Sequence, residues 1–153
     1  MKINNIIDFL PRRGDFRLRK LDDITTVVFH HSASPAGKFN SYDFATWHTS
    51  PTGRLKAPAI CYHFDIEPDG TINQVNELYQ IAWHSGPANP FSIGIELNGN
   101  FENEIPTIEQ YASCKFLVDY LQKKLKRKLE LKKHSDYMAT ACPGKNFDIT
   151  KIK

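Results

Sequence analysis

The sequence predicts an α/β domain (mixed α+β), a central mixed β-sheet flanked by helices. Three observations lead there. Short runs rich in β-branched and aromatic residues recur at Thr25 to His30, Ile60 to Ile66, Thr71 to Val75 and Ser92 to Leu97, the pattern of partly or fully buried strands. One segment after Pro106 has sustained helical periodicity. No internal repeat or low-complexity stretch separates these pieces, so strands and helices belong to one layered unit.

Taken in chain order, residues 1–23 mix charge with isolated apolar groups around the turn signal Pro11-Arg12-Arg13-Gly14. They are expected to be a peripheral lead-in to a single domain over 24–153. The run from Thr25 reads as a buried strand ending on the pair His30-His31. Asn40-Ser41 can cap a short helix through about Thr49, and Ser50 to Pro58, with two prolines and a glycine, is loop. Glu67-Pro68-Asp69-Gly70 supplies the backbone angles of a hairpin turn between the next two strands. Ile81 to Pro87 reads as an edge segment running into a loop, and Ser92 to Leu97 as a strand closed by Asn98-Gly99-Asn100. Thr107-Ile108-Glu109-Gln110 is a capping box. Behind it Ile108, Tyr111, Cys114, Val118, Leu121 and Leu125 recur at helical spacing. Leu129 to Leu131 suits a last short strand, and His134 to Pro143 a loop.

Composition bounds the function. A chain of 153 residues, 41% hydrophobic and 24% charged, fits one soluble domain. At that size folding typically buries roughly 70% of the unfolded surface, so no structural metal is needed and any metal is expected to be functional. A net charge of +3 falls short of the concentrated positive charge of a dedicated nucleic-acid binder. No apolar run approaches the ~18 residues of a membrane helix. Polar residues break up the first eleven positions, so a secretory signal peptide is not expected. Cys61, Cys114 and Cys142 are too few and wrongly spaced for a disulfide framework. Cys61 and Cys114 read as core, and the basic run Lys123 to Lys128 as a solvated helix end suited to the C-terminal dipole.

Chemistry-bearing residues are sparse. His30 closes a strand, and His134 opens a loop that reaches Cys142 eight residues later. Two imidazoles and one thiolate would satisfy a catalytic zinc, which takes three protein ligands and leaves a fourth position open. By spacing alone His-x7-Cys is a weak pattern. Glu96 is an acid inside an otherwise apolar strand, costly there unless paired, hydrogen-bonded or given work.

Five stretches occur in a telling order: Val27-Val28-Phe29-His30-His31-Ser32-Ala33, Cys61-Tyr62-His63-Phe64, Pro68-Asp69-Gly70-Thr71, Ser92-Ile93-Gly94-Ile95-Glu96-Leu97, and His134-Ser135-Asp136 through Ala141-Cys142-Pro143. Together, over roughly residues 24–148, they resemble the type 2 N-acetylmuramoyl-L-alanine amidases. That family includes phage lysozyme-type amidases, cytosolic anhydro-muropeptide amidases and animal peptidoglycan recognition proteins. The resemblance implies a zinc in a groove above the sheet, held by His30, His134 and Cys142. Alternation along the strand turns His31 to the opposite face from His30. The resemblance also makes Tyr62 the catalytic tyrosine. On a regular strand Ile60, Tyr62 and Phe64 would share a face, leaving His63 on the other as a hydrogen-bonded support. Glu96 matches an acid that serves the cytosolic branch as general base and that the phage lysozyme branch lacks. Where the family often has a lysine two residues before the last ligand this chain has Thr140, so a hydroxyl must replace a cationic oxyanion stabiliser. His84, in Trp83-His84-Ser85-Gly86, matches a family histidine on the groove wall and is expected to bind substrate.

The implied activity is zinc-dependent hydrolysis of the amide between the muramoyl lactyl group and L-alanine, in an endolysin-like, wall-lytic role. Three other readings stay open: a noncatalytic muropeptide-binding module, a cytosolic anhydro-muropeptide recycling amidase, and a thiol amidase built on Cys142 and His134. The expected cofactor is one Zn2+ and the expected partner peptidoglycan or a muropeptide, with neither nucleic acid nor membrane. A monomer is expected, cytoplasmic until released or delivered to the wall by a non-Sec route.

Overall fold

The computed structural model describes residues 1–152. Strands β1 (Ile3–Asn5), β2 (Thr26–His31), β3 (Phe64–Ile66), β4 (Ile72–Gln74), β5 (Ser92–Leu97) and β6 (Glu130–Lys133) form one mixed sheet in the order β1-β4-β3-β5-β2-β6. Helices α1 (Ser41–Thr49) and α2 (Ile108–Leu125) complete the regular structure, with short 3-10 turns between. The expected fold class is the observed one. The β3–β4 hairpin turns through Glu67 to Gly70, where φ of +84° favours glycine, and it is the antiparallel pair in an otherwise parallel sheet.

Alternation divides the sheet into a core face and a site face. Val27 and Phe29 of β2, Phe64 and Ile66 of β3, and Ile93, Ile95 and Leu97 of β5 join the main core. Cys114, Leu117 and Leu121 of α2 close that core from outside. The intervening residues His30, Asp65 and Glu96 lie side by side in register on the other face. Burying two central strands on both faces explains why β2 and β5 read as nearly continuous apolar runs.

Both helices start where the caps predict. Asn40 accepts hydrogen bonds from the Tyr42 and Asp43 amides, and Thr107 and Gln110 bond reciprocally at the head of α2. One expectation shifts within α2. Ile108 is 84% exposed at the first turn, whereas Gln110 is buried and its amide donates to the Ile66 and Asn98 carbonyls.

Two expectations need correction. The strand foreseen from Ile60 begins only at Phe64, because Asn76 inserts its side-chain amide against the Ile60 and Tyr62 carbonyls and takes the preceding residues out of any ladder. Residues 1–23 are also no peripheral lead-in. They supply edge strand β1, paired with β4, and bury Ile7, Leu10 and Phe16. The Arg19 guanidinium donates to the carbonyls of Leu78, Asn89 and Ser92 at 2.7 to 3.1 Å. Isolated apolar residues without periodicity gave no hint of this, since each fills a separate gap in the fold.

Removing that guanidinium leaves partly buried carbonyls without donors. Arg19→Ala is therefore expected to cost about 3 kcal/mol of stability, read from urea unfolding. A loss below about 0.5 kcal/mol, the range of an ordinary surface change, would place Arg19 outside the fold's support.

Candidate active site

Register brings the first two site residues together. Because β6 runs parallel to β2 with Phe29 opposite Lys133, the next residue along each path, His30 and His134, become neighbours with ring centroids 4.6 Å apart. The following loop then folds back. The Ser135 amide donates to the Cys142 carbonyl at 3.0 Å, and the Cys142 sulfur comes to rest 3.7 Å from His30 Nδ1. The ligand atoms of His30, His134 and Cys142 all lie within 4.8 Å of one another. His134 Nε2 is buried there with no hydrogen-bond partner, as a nitrogen reserved for a metal would be. Two imidazole nitrogens and one sulfur converging with His134 and Cys142 half-exposed fit a zinc ion that keeps a fourth position for water or substrate. His31 faces the other way, accepting from the Phe101 amide and packing on that ring.

Tyr62 and Glu96 border this cluster. The Tyr62 ring is 5.1 Å from that of His30, and its hydroxyl adjoins the Glu96 carboxyl. Tyr62 reaches the site face because Asn76 turns its segment out of the strand, so it does not share a face with Phe64, which lies in the main core. Enclosure and then the nearby Glu96 charge hold the phenol well above its ordinary range. Glu96 is 2% exposed, with Oε1 unpartnered. Burial first and the Asp65 charge second hold its carboxyl well above the usual carboxylate range.

The surrounding histidines are supports. His63 accepts from the Gly94 amide through Nδ1 and reaches the Gln80 carbonyl through Nε2, the hydrogen-bonded role expected of it. His48 anchors the chain before Tyr62 by accepting from the Cys61 amide, and burial pushes it down to about 4. His84 corrects its expectation. It lies 5% exposed beneath His30, with Nδ1 3.1 Å from His30 Nε2, and not on an open wall. Thr140 is exposed at the rim, where its oxygen accepts from the Cys142 amide and leaves the hydroxyl proton free. Cys61 and Cys114 are buried.

Asp65 was missed, although it carries the same signal as Glu96, an acid within an apolar run. It is fully buried across from Glu96 on β3, accepts from the Ser41 hydroxyl, and has Oδ1 unpartnered. Burial and then Glu67 push its carboxyl up to about 7. The folded protein thus holds a proton that the unfolded chain releases near pH 4, so this contribution to stability is present below about pH 4 and is lost as pH rises toward about 7. Asp65→Asn keeps an acceptor for Ser41 and is expected to flatten the fall in Tm between those values. Glu96 supplies a residual slope of the same sign. A Tm profile parallel to that of the wild type would contradict the assignment.

The family model described as N-acetylmuramoyl-L-alanine amidase matches residues 20–145. The chain belongs to the N-acetylmuramoyl-L-alanine amidase family. No curated protein matches it by sequence. Among solved structures this amidase-family chain is similar to the N-acetylmuramoyl-L-alanine amidase LysC from Clostridium intestinale, with 27% identity, 99% of this chain and 95% of that one covered, and a TM-score of 0.83. The Ph2119 endolysin from a Thermus scotoductus bacteriophage shares the fold at 21% identity and TM-score 0.83, covering 99% and 96% of the two chains. Drosophila peptidoglycan recognition protein SD does so at 23% identity and TM-score 0.85, covering 95% and 90%. Among the described residues no helix is long and apolar enough to cross a membrane.

Proposed function

We propose that this amidase-family protein is a zinc-dependent, wall-lytic hydrolase of the amide between the N-acetylmuramoyl lactyl group and L-alanine. The convergence of His30, His134 and Cys142 beside Tyr62 and Glu96 carries the reading. His30, His134 and Cys142 would hold the zinc ion, which would supply Lewis acidity toward the amide carbonyl when bound. Glu96, whose carboxyl binds its proton more tightly than an exposed one, is suited to take a proton from water and return it to the leaving nitrogen. Tyr62 keeps its hydroxyl proton and donates to the developing oxyanion, and Thr140 offers a second O–H from the rim.

Similarity to LysC, an N-acetylmuramoyl-L-alanine amidase, over nearly the whole of both chains supports the reaction, and similarity to the endolysin amidase LysCS at 28% identity supports the wall-lytic role. The recognition-protein neighbours, two of them complexes with tracheal cytotoxin, support a peptidoglycan fragment as partner. A thiol nucleophile fits less well. Burial and then Glu96 push the Cys142 thiol up to about 12, opposite to the depression a reactive thiolate requires. Chelation followed by zinc addition tests the proposal. Loss and full recovery of lysis of cell-wall suspensions is expected, and lysis indifferent to chelator but abolished by thiol alkylation would overturn it. A protein that binds wall fragments with zinc present and never cleaves them would be a recognition module.

A further inference from the structure

A row of hydrogen bonds leads inward from the candidate metal centre. His30 Nε2 lies 3.1 Å from His84 Nδ1, His84 Nε2 lies 3.2 Å from Ser92 Oγ, and Ser92 Oγ lies 2.6 Å from the Ala88 carbonyl oxygen. The proton order follows from the far end. A carbonyl only accepts, so the single hydroxyl proton of Ser92 goes to Ala88, and Ser92 can only accept from His84. His84 Nε2 therefore carries a proton. This ring is buried, its nitrogens meet only His30 and Ser92, and His63 beside it contacts the Arg19 guanidinium at 3.0 Å. In the imidazole tautomer with its proton on Nε2 the other nitrogen is an acceptor, so the 3.1 Å contact at Nδ1 takes a proton carried by His30 Nε2. The remaining nitrogen of His30, Nδ1, is the atom that faces the Cys142 sulfur.

We infer that Ser92 and His84 are positioning residues that lock His30 in its Nε2-protonated tautomer and so present a bare Nδ1 to a divalent metal ion before the ion arrives. The backbone is shaped for this. Gly94 lies under the His84 ring, and a Cβ there would sit 2.6 Å from His84 Cγ, so strand β5 leaves a gap that seats the ring. The same strand carries Ser92 at its start and Glu96 two residues beyond the gap. Sequence supplied one unused signal, a glycine inside a buried strand.

The inference rests on the metal-centre reading, and two measurements separate them. Long-range 15N–1H correlation of the metal-free wild-type protein is expected to show His30 and His84 both protonated at Nε2 and bare at Nδ1, with slowly exchanging ring protons. Ser92→Ala is expected to return the His84 ring proton to fast exchange while amide dispersion reports an intact fold. In chelator competition, His84→Leu is expected to weaken zinc binding about 10- to 100-fold, the usual effect of losing a supporting partner. His84→Asn, whose amide oxygen can take the Nδ1 position, should stay within a few-fold of the wild type. A wild-type His30 protonated on Nδ1, or zinc bound equally tightly by His84→Leu, would overturn the inference. The expected proton order without zinc uptake would support the relay and overturn the metal reading.

Discussion

Cys142→Ala is expected to abolish zinc uptake and amide hydrolysis together while leaving the protein folded. The sulfur is one of three donors within 4.8 Å of one another, and two imidazoles alone make a weak, open site. The loss in turnover should exceed the roughly 100-fold that removal of a supporting group causes. The fold is spared because Cys142 is half-exposed on a loop of the site face, whereas the main core lies between the opposite face and α2. Elemental analysis, turnover and circular dichroism on one preparation read all three properties. Full zinc stoichiometry with unchanged turnover would remove Cys142 from the ligand set.

Glu96→Gln separates proton transfer from metal binding. Zinc content is expected to persist, since Glu96 is not among the three converging donors, while kcat falls by about 10²- to 10⁴-fold, the usual worth of a positioned acid-base group. The variant should fold, because an amide of nearly the same shape replaces the carboxyl within the same packing. An unchanged kcat would return Glu96 to a purely structural role beside Asp65.

Much of the fold was legible because its signals are local. The caps at Asn40 and Thr107, the turn at Glu67 to Gly70 and the run Ser92 to Leu97 each specify their element within a few residues. Strand β1 and the Arg19 contacts were not legible, since three-residue pairings and bonds across 59 to 73 positions leave no periodic trace. At the site, the sequence singled out His30, His134, Cys142, Tyr62 and Glu96, and the fold gathers them on one side of the sheet. The orientation of Tyr62 escaped because alternation assumes a regular strand, which Asn76 interrupts. His84 escaped for a different reason. A histidine beside the exposed Trp83 reads as surface until the gap above Gly94 is seen to receive it.

The proposed reaction is bond-specific, metal-dependent cleavage. Mass spectrometry of products from a defined N-acetylmuramoyl peptide, run with the zinc-loaded and the chelated protein, tests it most directly. The account predicts release of an intact stem peptide with a free L-alanine amino terminus and a muramic acid carrying a free lactyl carboxylate, from the zinc-loaded protein alone. Cleavage within the stem peptide or the glycan, or equal cleavage by the chelated protein, would contradict it.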